Sequence, residues 1–129
     1  MLGDARGSIN PQFPAPAYVA ERRFVSPLTQ MRDIEGTILA LAHELARLLA
    51  RHHDGARQLC LSLFRMDGAV RDVFVASSRV LANPASIASL FREKLHVESE
   101  EGLEAVEGFE TLRLAALTVE PLEARQNSL

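Results

Sequence analysis

The sequence predicts an α+β domain of the ferredoxin-like type, in which a four-stranded antiparallel sheet carries two helices on one face. Two observations lead to this prediction. Strand-like and helix-like segments follow one another in the order β-α-β-β-α-β along the 129 residues. Both β-α-β crossovers should be right-handed, which places both helices on the same side of the sheet. The other face of the sheet is then left open.

The first half of the chain supplies a leader, a strand and a long helix. Glycine and proline crowd residues 1–17, which we interpret as a linker from an upstream domain. Tyr18–Val25 is rich in aromatic and β-branched residues and predicts a strand that Pro27 ends. Thr29 is the expected helix cap, and Gly55 the expected left-handed residue that closes the helix. Its apolar stripe is Ile34, Ile38, Leu41, Leu45 and Leu48.

The second half repeats the pattern after a hairpin. Alternation over 59–64 predicts a half-buried strand, and Asp67-Gly68 predicts a tight turn into a return strand at Val70–Ser78. Asn83-Pro84 is expected to start a second helix. The apolar face of that helix is Ile87, Leu90, Phe91 and Leu95, and His96 is placed at its end. A glutamate-rich loop and a last strand at Glu110–Val119 complete a domain spanning 18–122, with a tail at 123–129.

The composition is that of a folded domain. Hydrophobic residues make up 47% and charged residues 24%, both close to globular averages. A chain of 129 residues is long enough to bury a core without disulfides or a metal. Cys60 is the single cysteine and is expected to be a small buried strand residue. No segment is long and apolar enough to span a membrane, and the N-terminus lacks the pattern of a secretory signal. We therefore expect a cytoplasmic location.

The net charge of −3 is unevenly distributed. Residues 1–80 carry ten arginines against eight acids, whereas 81–129 carry four basic and nine acidic residues. Six of these acids crowd one segment that we expect to be a solvated loop: Glu98, Glu100, Glu101, Glu104, Glu107 and Glu110. The remainder of the fold is slightly basic, which permits binding to nucleic acid but does not indicate it.

No catalytic motif is present, so we predict no catalytic residue, no metal and no cofactor. The spacing of His43 and His52 does not suit one helical face, and histidines near a helix end are expected on electrostatic grounds alone. Asp67 is interpreted as a turn residue and Asp72 as an exposed strand residue.

The open face of the sheet is the candidate functional surface. Each strand offers side chains that could contact a DNA backbone, because side chains alternate between the two faces. The candidates are Arg22 or Arg23, Ser62 with Phe64 beside it, Arg71 or its neighbours, and Arg113. The alternative is that these side chains only solvate the sheet.

Three stretches of the sequence resemble those of a known family. They are YVAERRFVSPL at 18–28, followed by the long helix, and LSLFRMDGAV at 61–70, with GFETLRLAALTVEPLEARQ at 108–126. Together they resemble the little-finger domain of Y-family DNA polymerases (the UmuC/DinB-like proteins), and especially ImuB-type homologues, the catalytically degenerate members found in bacterial mutagenesis cassettes. The resemblance implies a non-catalytic domain that lays its sheet on primer-template DNA during translesion synthesis. Because this chain is acidic overall, we expect it to bind DNA weakly.

The last residues resemble the start of a bacterial clamp-binding motif, Q-x-[SD]-L-F. Gln126, Ser128 and Leu129 would be its protein-binding residues, whereas the alternative is a frayed tail. The acidic segment and this tail favour a second hypothesis, a protein-interaction module for the sliding clamp or other repair proteins. A third hypothesis, a small-ligand regulatory domain, predicts a pocket at a sheet edge or a dimer interface.

Overall fold

The computed structural model describes residues 15–100 and 108–122, without the side chains of 98–100. Its elements are β1 (Tyr18–Leu28), α1 (Met31–Arg51), β2 (Asp54–Arg65), β3 (Val70–Leu81), α2 (Pro84–Glu100) and β4 (Phe109–Pro121). The strands form one antiparallel sheet in the order β1-β4-β2-β3. The predicted β-α-β-β-α-β, ferredoxin-like architecture is confirmed.

The core lies between the two helices and one face of the sheet. Alternate residues of the central strands are fully buried there, namely Leu59, Leu61 and Leu63 of β2 and Leu112, Leu114 and Ala116 of β4. Each buried leucine removes enough apolar surface from water to contribute about 2 kcal/mol. The residues between them point to the opposite, open face, because side chains alternate along a strand.

The apolar stripes of both helices are close to those predicted. Ile34, Ile38, Leu41 and Leu45 of α1 are fully buried, but Leu49 continues the stripe and Leu48 packs at its margin. In α2, Ile87, Phe91 and Leu95 are fully buried, Ala88 is buried beside them, and Leu90 is half-buried.

The ends of α1 differ from the prediction. Its N-cap is Gln30, which makes no side-chain capping bond, so Thr29 lies one residue outside the cap position. At the other end His52 is the C-cap, and the left-handed residue is His53, with φ 56°. Gly55 is therefore not the C-cap. It is buried in β2, where a Cβ atom would collide with Val80.

The start of α2 is as predicted. The Asn83 side-chain oxygen accepts hydrogen bonds from the backbone N–H groups of Ala85 (2.8 Å) and Ser86 (3.2 Å), which satisfies two of the free donors of the first turn. The helix runs past His96 to Glu100, so Glu98 and Glu100 are helical. Glu110 belongs to β4, whereas 101–107 lie outside the described residues.

The strands are longer than predicted. β1 continues past Pro27 to Leu28, because it is an edge strand and its pairing shifts between Arg23 and Leu28. A proline there removes no hydrogen bond from the centre of the sheet. β2 begins at Asp54, β3 ends at Leu81, and β4 reaches Pro121.

The Asp67-Gly68 hairpin turn is confirmed. The Arg65 N–H donates to the Ala69 carbonyl (2.9 Å), and Gly68 takes the positive φ of 96° that the turn requires. The Ala69 N–H donates to the Asp67 carboxylate (3.0 Å). This hydrogen bond, assisted by the nearby Arg65 guanidinium, lowers the pKa of Asp67. Asp67 is therefore a turn residue, as predicted.

Across both described ranges, no helix has the length and apolar content needed to cross a membrane.

Candidate nucleic-acid interface

The strand pairing defines which side chains share the open face. Ser62 lies opposite Arg113 on one side and Asp72 on the other, and Arg113 lies opposite Glu21. One row further along the sheet, Phe64 pairs with Thr111 and Val70, and Thr111 pairs with Arg23. On the other side of the Ser62 row, still on the open face, the next row contains Val19, Ala115, Cys60 and Phe74. Ser62, Phe64, Arg23 and Arg113 thus lie where the sequence predicted.

Arg113 is held in place by two neighbours. Its Nε–H donates to the Glu21 carboxylate at 3.0 Å, and its guanidinium carbon lies 5.0 Å from the centre of the Phe64 ring. Both side chains of the ion pair are about one-third exposed. A phosphate approaching Arg113 therefore has to compete with Glu21.

Ser62 is also engaged. Its hydroxyl donates to the Asp72 carboxylate at 2.6 Å, and the Cys60 sulfur lies 3.8 Å from the Ser62 oxygen. Burial raises the pKa of the Cys60 thiol to about 11. Cys60 is buried as predicted, and it is protonated at neutral pH.

Arg23 is the more available cation of this face. It is exposed, it lies on the edge strand opposite Thr111, and no carboxylate in the described part of the chain pairs with it. A guanidinium at the edge of a flat sheet can make a bidentate contact with a phosphate.

Two of the predicted residues lie on the other side of the sheet. Arg22 forms an ion pair with Glu44 of α1, on the helix side, so the choice between Arg22 and Arg23 falls on Arg23. Arg71 pairs with Leu63, which is buried beneath the helices, so Arg71 also lies in the helix-side register. Of the predicted alternatives, Arg23 and the Arg71 neighbour Asp72 lie on the open face, and the prediction is wrong for Arg22 and Arg71 themselves. The predicted clamp-binding residues Gln126, Ser128 and Leu129 lie outside the described residues.

Glu21 and Asp72 are the residues whose part in this surface the sequence reasoning missed. They are the acidic partners of Arg113 and Ser62, so the two cations Arg23 and Arg113 are balanced by two anions. Several apolar side chains of the face are partly exposed as well, namely Val19, Val70 and Phe74. Once Arg23 rather than Arg22 is placed on this face, alternation places Glu21 there as well, because the two residues are two positions apart.

Among the described residues, no group of three or more His, Cys, Asp or Glu side chains could hold a metal ion. Asp72 is exposed, as predicted, and its carboxylate accepts the hydrogen bond from the Ser62 hydroxyl.

Comparison with known proteins identifies the class of this domain. Its fold is similar to a solved structure described as a complex of the beta-clamp processivity factor and the little finger domain of PolIV, with a TM-score of 0.60 and 18% identity. That match covers 80% of this chain and 88% of the other. Comparison with curated proteins gave no match.

The fold and the matches define a little-finger domain of the kind found in Y-family DNA polymerases. The model of the impB/mucB/samB family C-terminal domain matches residues 16–129, and the chain belongs to this family.

Proposed function

We propose that this domain is a non-catalytic DNA-contacting unit of a Y-family polymerase-like protein, acting in translesion synthesis. The observation that carries the proposal is the open sheet face, which holds Arg23, Arg113, Ser62 and Thr111 on neighbouring strands. Short hydroxyl side chains and arginines suit contact with a phosphate backbone without steric obstruction. The family to which the chain belongs supports the same function.

The charge balance of the open face determines how tightly we expect the domain to bind DNA. Glu21 and Asp72 offset the two arginines, so few phosphates are neutralised when DNA binds. Since each neutralised phosphate contributes about 0.9 to the slope of log K against log salt, we expect weak binding with a shallow salt dependence. Such a domain would bind DNA as part of a larger protein rather than alone. We also propose that 1–17 act as the linker to upstream domains and that the protein is cytoplasmic.

Neighbouring arginines on opposite sides of the sheet provide a matched test. We would measure binding of a fluorescein-labelled primer-template by anisotropy at low salt for the wild type, Arg23→Ala and Arg22→Ala. Arg23→Ala should weaken binding severalfold and reduce the salt slope by nearly one. Arg22→Ala, which removes a helix-side cation, should leave both unchanged. Equal affinities of Arg23→Ala and wild type would contradict the assignment, provided that circular dichroism shows both variants folded.

A second candidate function is docking on the sliding clamp. The observation that favours it is that the similar solved structure is a little finger in complex with a beta-clamp. We propose that Gln126, Ser128 and Leu129 begin a clamp-binding motif. The test is surface plasmon resonance on immobilised bacterial clamp, using a chain that continues with its natural residues past Leu129. Gln126→Ala with Leu129→Ala should abolish binding, while Asn127→Ala should not, and retention by the double variant would refute the motif.

The ImuB-type assignment predicts a parent protein without polymerase activity. Primer extension by the full-length parent with Mg²⁺ tests it. Nucleotide incorporation would identify the parent as an active polymerase instead.

A further inference from the structure

A groove runs between the two helices, on the side of the molecule opposite the open sheet face. Its volume is about 390 Å³. The lining residues come from the first half of α1 and the first half of α2, and they include Arg32, Glu35, Gly36, Ile38, Leu39 and Arg92. The contacts described on the open sheet face do not use this surface.

The floor of the groove is apolar and partly uncovered. Ile38 is buried below it, and Leu39 is 42% exposed beside it. Gly36 borders open space in the groove, since a Cβ atom placed there would meet no atom within 4 Å. Glycine inside a helix is less favourable than alanine, and nothing in the packing of the described residues requires it at this position.

The rim of the groove carries two available cations. Arg32 and Arg92 are both exposed, and within the described part of the chain no carboxylate pairs with either. Glu35, the one acid in the lining, lies 3.5 Å from His96 of α2. The groove therefore presents two guanidinium groups beside an apolar floor, and guanidinium groups bind carboxylates in bidentate geometry.

We propose that this groove binds an acidic peptide segment of a partner protein. An apolar side chain of the peptide would lie on the floor at Gly36 and Leu39, and flanking carboxylates would meet Arg32 and Arg92. Charge complementarity selects this occupant over a nonpolar peptide. Because the groove and the sheet face lie on opposite sides of the molecule, the domain can hold DNA and such a partner at the same time.

The test is selection from a phage-displayed library of random twelve-residue peptides on the whole chain, followed by fluorescence polarisation with the enriched peptides. We expect enriched sequences with an apolar residue between acidic ones. Arg32→Ala and Arg92→Ala should each weaken binding about tenfold, the usual effect of losing a charge-assisted contact. Gly36→Leu should abolish binding by filling the groove, and since its Cβ meets open space the fold should persist. Arg23→Ala is the matched control and should bind the peptides as the wild type does.

Three outcomes would overturn the proposal. The first is no enrichment, and the second is enriched peptides without acidic residues. The third is equal binding to the wild type and to folded Gly36→Leu, which would place the peptides elsewhere. DNA binding by Gly36→Leu, measured in parallel, should equal that of the wild type, so failure of the groove and failure of the DNA-contacting face can be told apart.

Discussion

Arg113 occupies the centre of the open face, yet its charge is largely used within the protein. It donates to Glu21 at 3.0 Å and stacks over Phe64. An exposed ion pair of this kind contributes only about 0.2–1 kcal/mol to stability. We expect its larger effect to be on DNA binding, because Glu21 would compete with a phosphate for the same guanidinium.

Replacing Glu21 with glutamine should therefore strengthen DNA binding. Glu21→Gln keeps the shape of the side chain, removes one negative charge and releases Arg113, so we expect severalfold tighter binding and a salt slope steeper by about 0.9. Anisotropy titrations at several salt concentrations measure both. Glu44→Gln is the control, because it releases Arg22 on the helix side instead. An unchanged slope for Glu21→Gln would show that Arg113 does not meet a phosphate.

Cys60 should be chemically inert in the folded domain. Burial raises the pKa of its thiol to about 11, above the ordinary value of 9.0, so the thiolate is roughly a hundredfold scarcer at a given pH below 9. We expect slow alkylation by iodoacetamide at pH 8, measured by mass spectrometry, and fast alkylation in urea. Equal rates in the native and unfolded chain would contradict the burial of this thiol.

The same shift has a consequence for stability at high pH. The folded state holds the Cys60 proton more tightly than the unfolded state. The contribution of the protonated Cys60 thiol to the free energy of unfolding is therefore fully present below pH 9. It is lost between pH 9 and 11, as the unfolded chain ionises first.

At the scale of elements, two glycines have opposite requirements. Gly36 lies inside α1 with open space around it, whereas Gly108, just before β4, has φ 82° and would place a Cβ atom 2.9 Å from that of Pro27. The first conformation suits alanine and the second does not.

Alanine substitution should thus raise stability at one position and lower it at the other. Gly36→Ala should increase the free energy of unfolding by about 1 kcal/mol, and Gly108→Ala should decrease it by about 1–2 kcal/mol or more. Urea denaturation followed by circular dichroism provides the values. A loss of stability in Gly36→Ala would mean that residue 36 is packed more tightly than the structure shows.

The order of the elements and their buried stripes could be predicted because apolar periodicity records them directly. In β2, the leucines at 59, 61 and 63 fix the inward phase without ambiguity. In β1, arginine occupies both phases, and the chain alone does not say that Arg22 faces Glu44. The phase of Arg71 was visible from Val73, two residues on, which is buried.

The helix ends and the charge pairing were less predictable. Gly55 follows a helix and looks like a C-cap, but the left-handed conformation falls on His53, because α1 ends at Arg51. Neutralisation of Arg113 depends on Glu21, which is 92 residues away in the chain. Such a contact follows from strand order, which local patterns do not specify.

On the scale of the whole molecule, one core joins both helices to the sheet. Leu61 is fully buried in it, whereas Val70 on the open face is 49% exposed. Stability should therefore depend on the covered face of the sheet much more than on the open one.

A pair of truncations tests this asymmetry. Leu61→Ala should cost about 3 kcal/mol, a large part of the stability of a domain this size. Val70→Ala should cost less than about 1 kcal/mol. Urea denaturation should show a single cooperative transition in both variants, and comparable losses would contradict the one-sided core.

The strand order also determines how the domain would respond to mechanical load. Tyr18, at the start of β1, pairs with Ala116, so β1 enters beside the end at which β4 leaves. A force that separates the two flanking segments would act on the β1–β4 hydrogen bonds one after another, as a zip opens, rather than on all of them together. We therefore expect β1 to detach at low force in optical-tweezer pulling, while the β2–β3 hairpin is still paired.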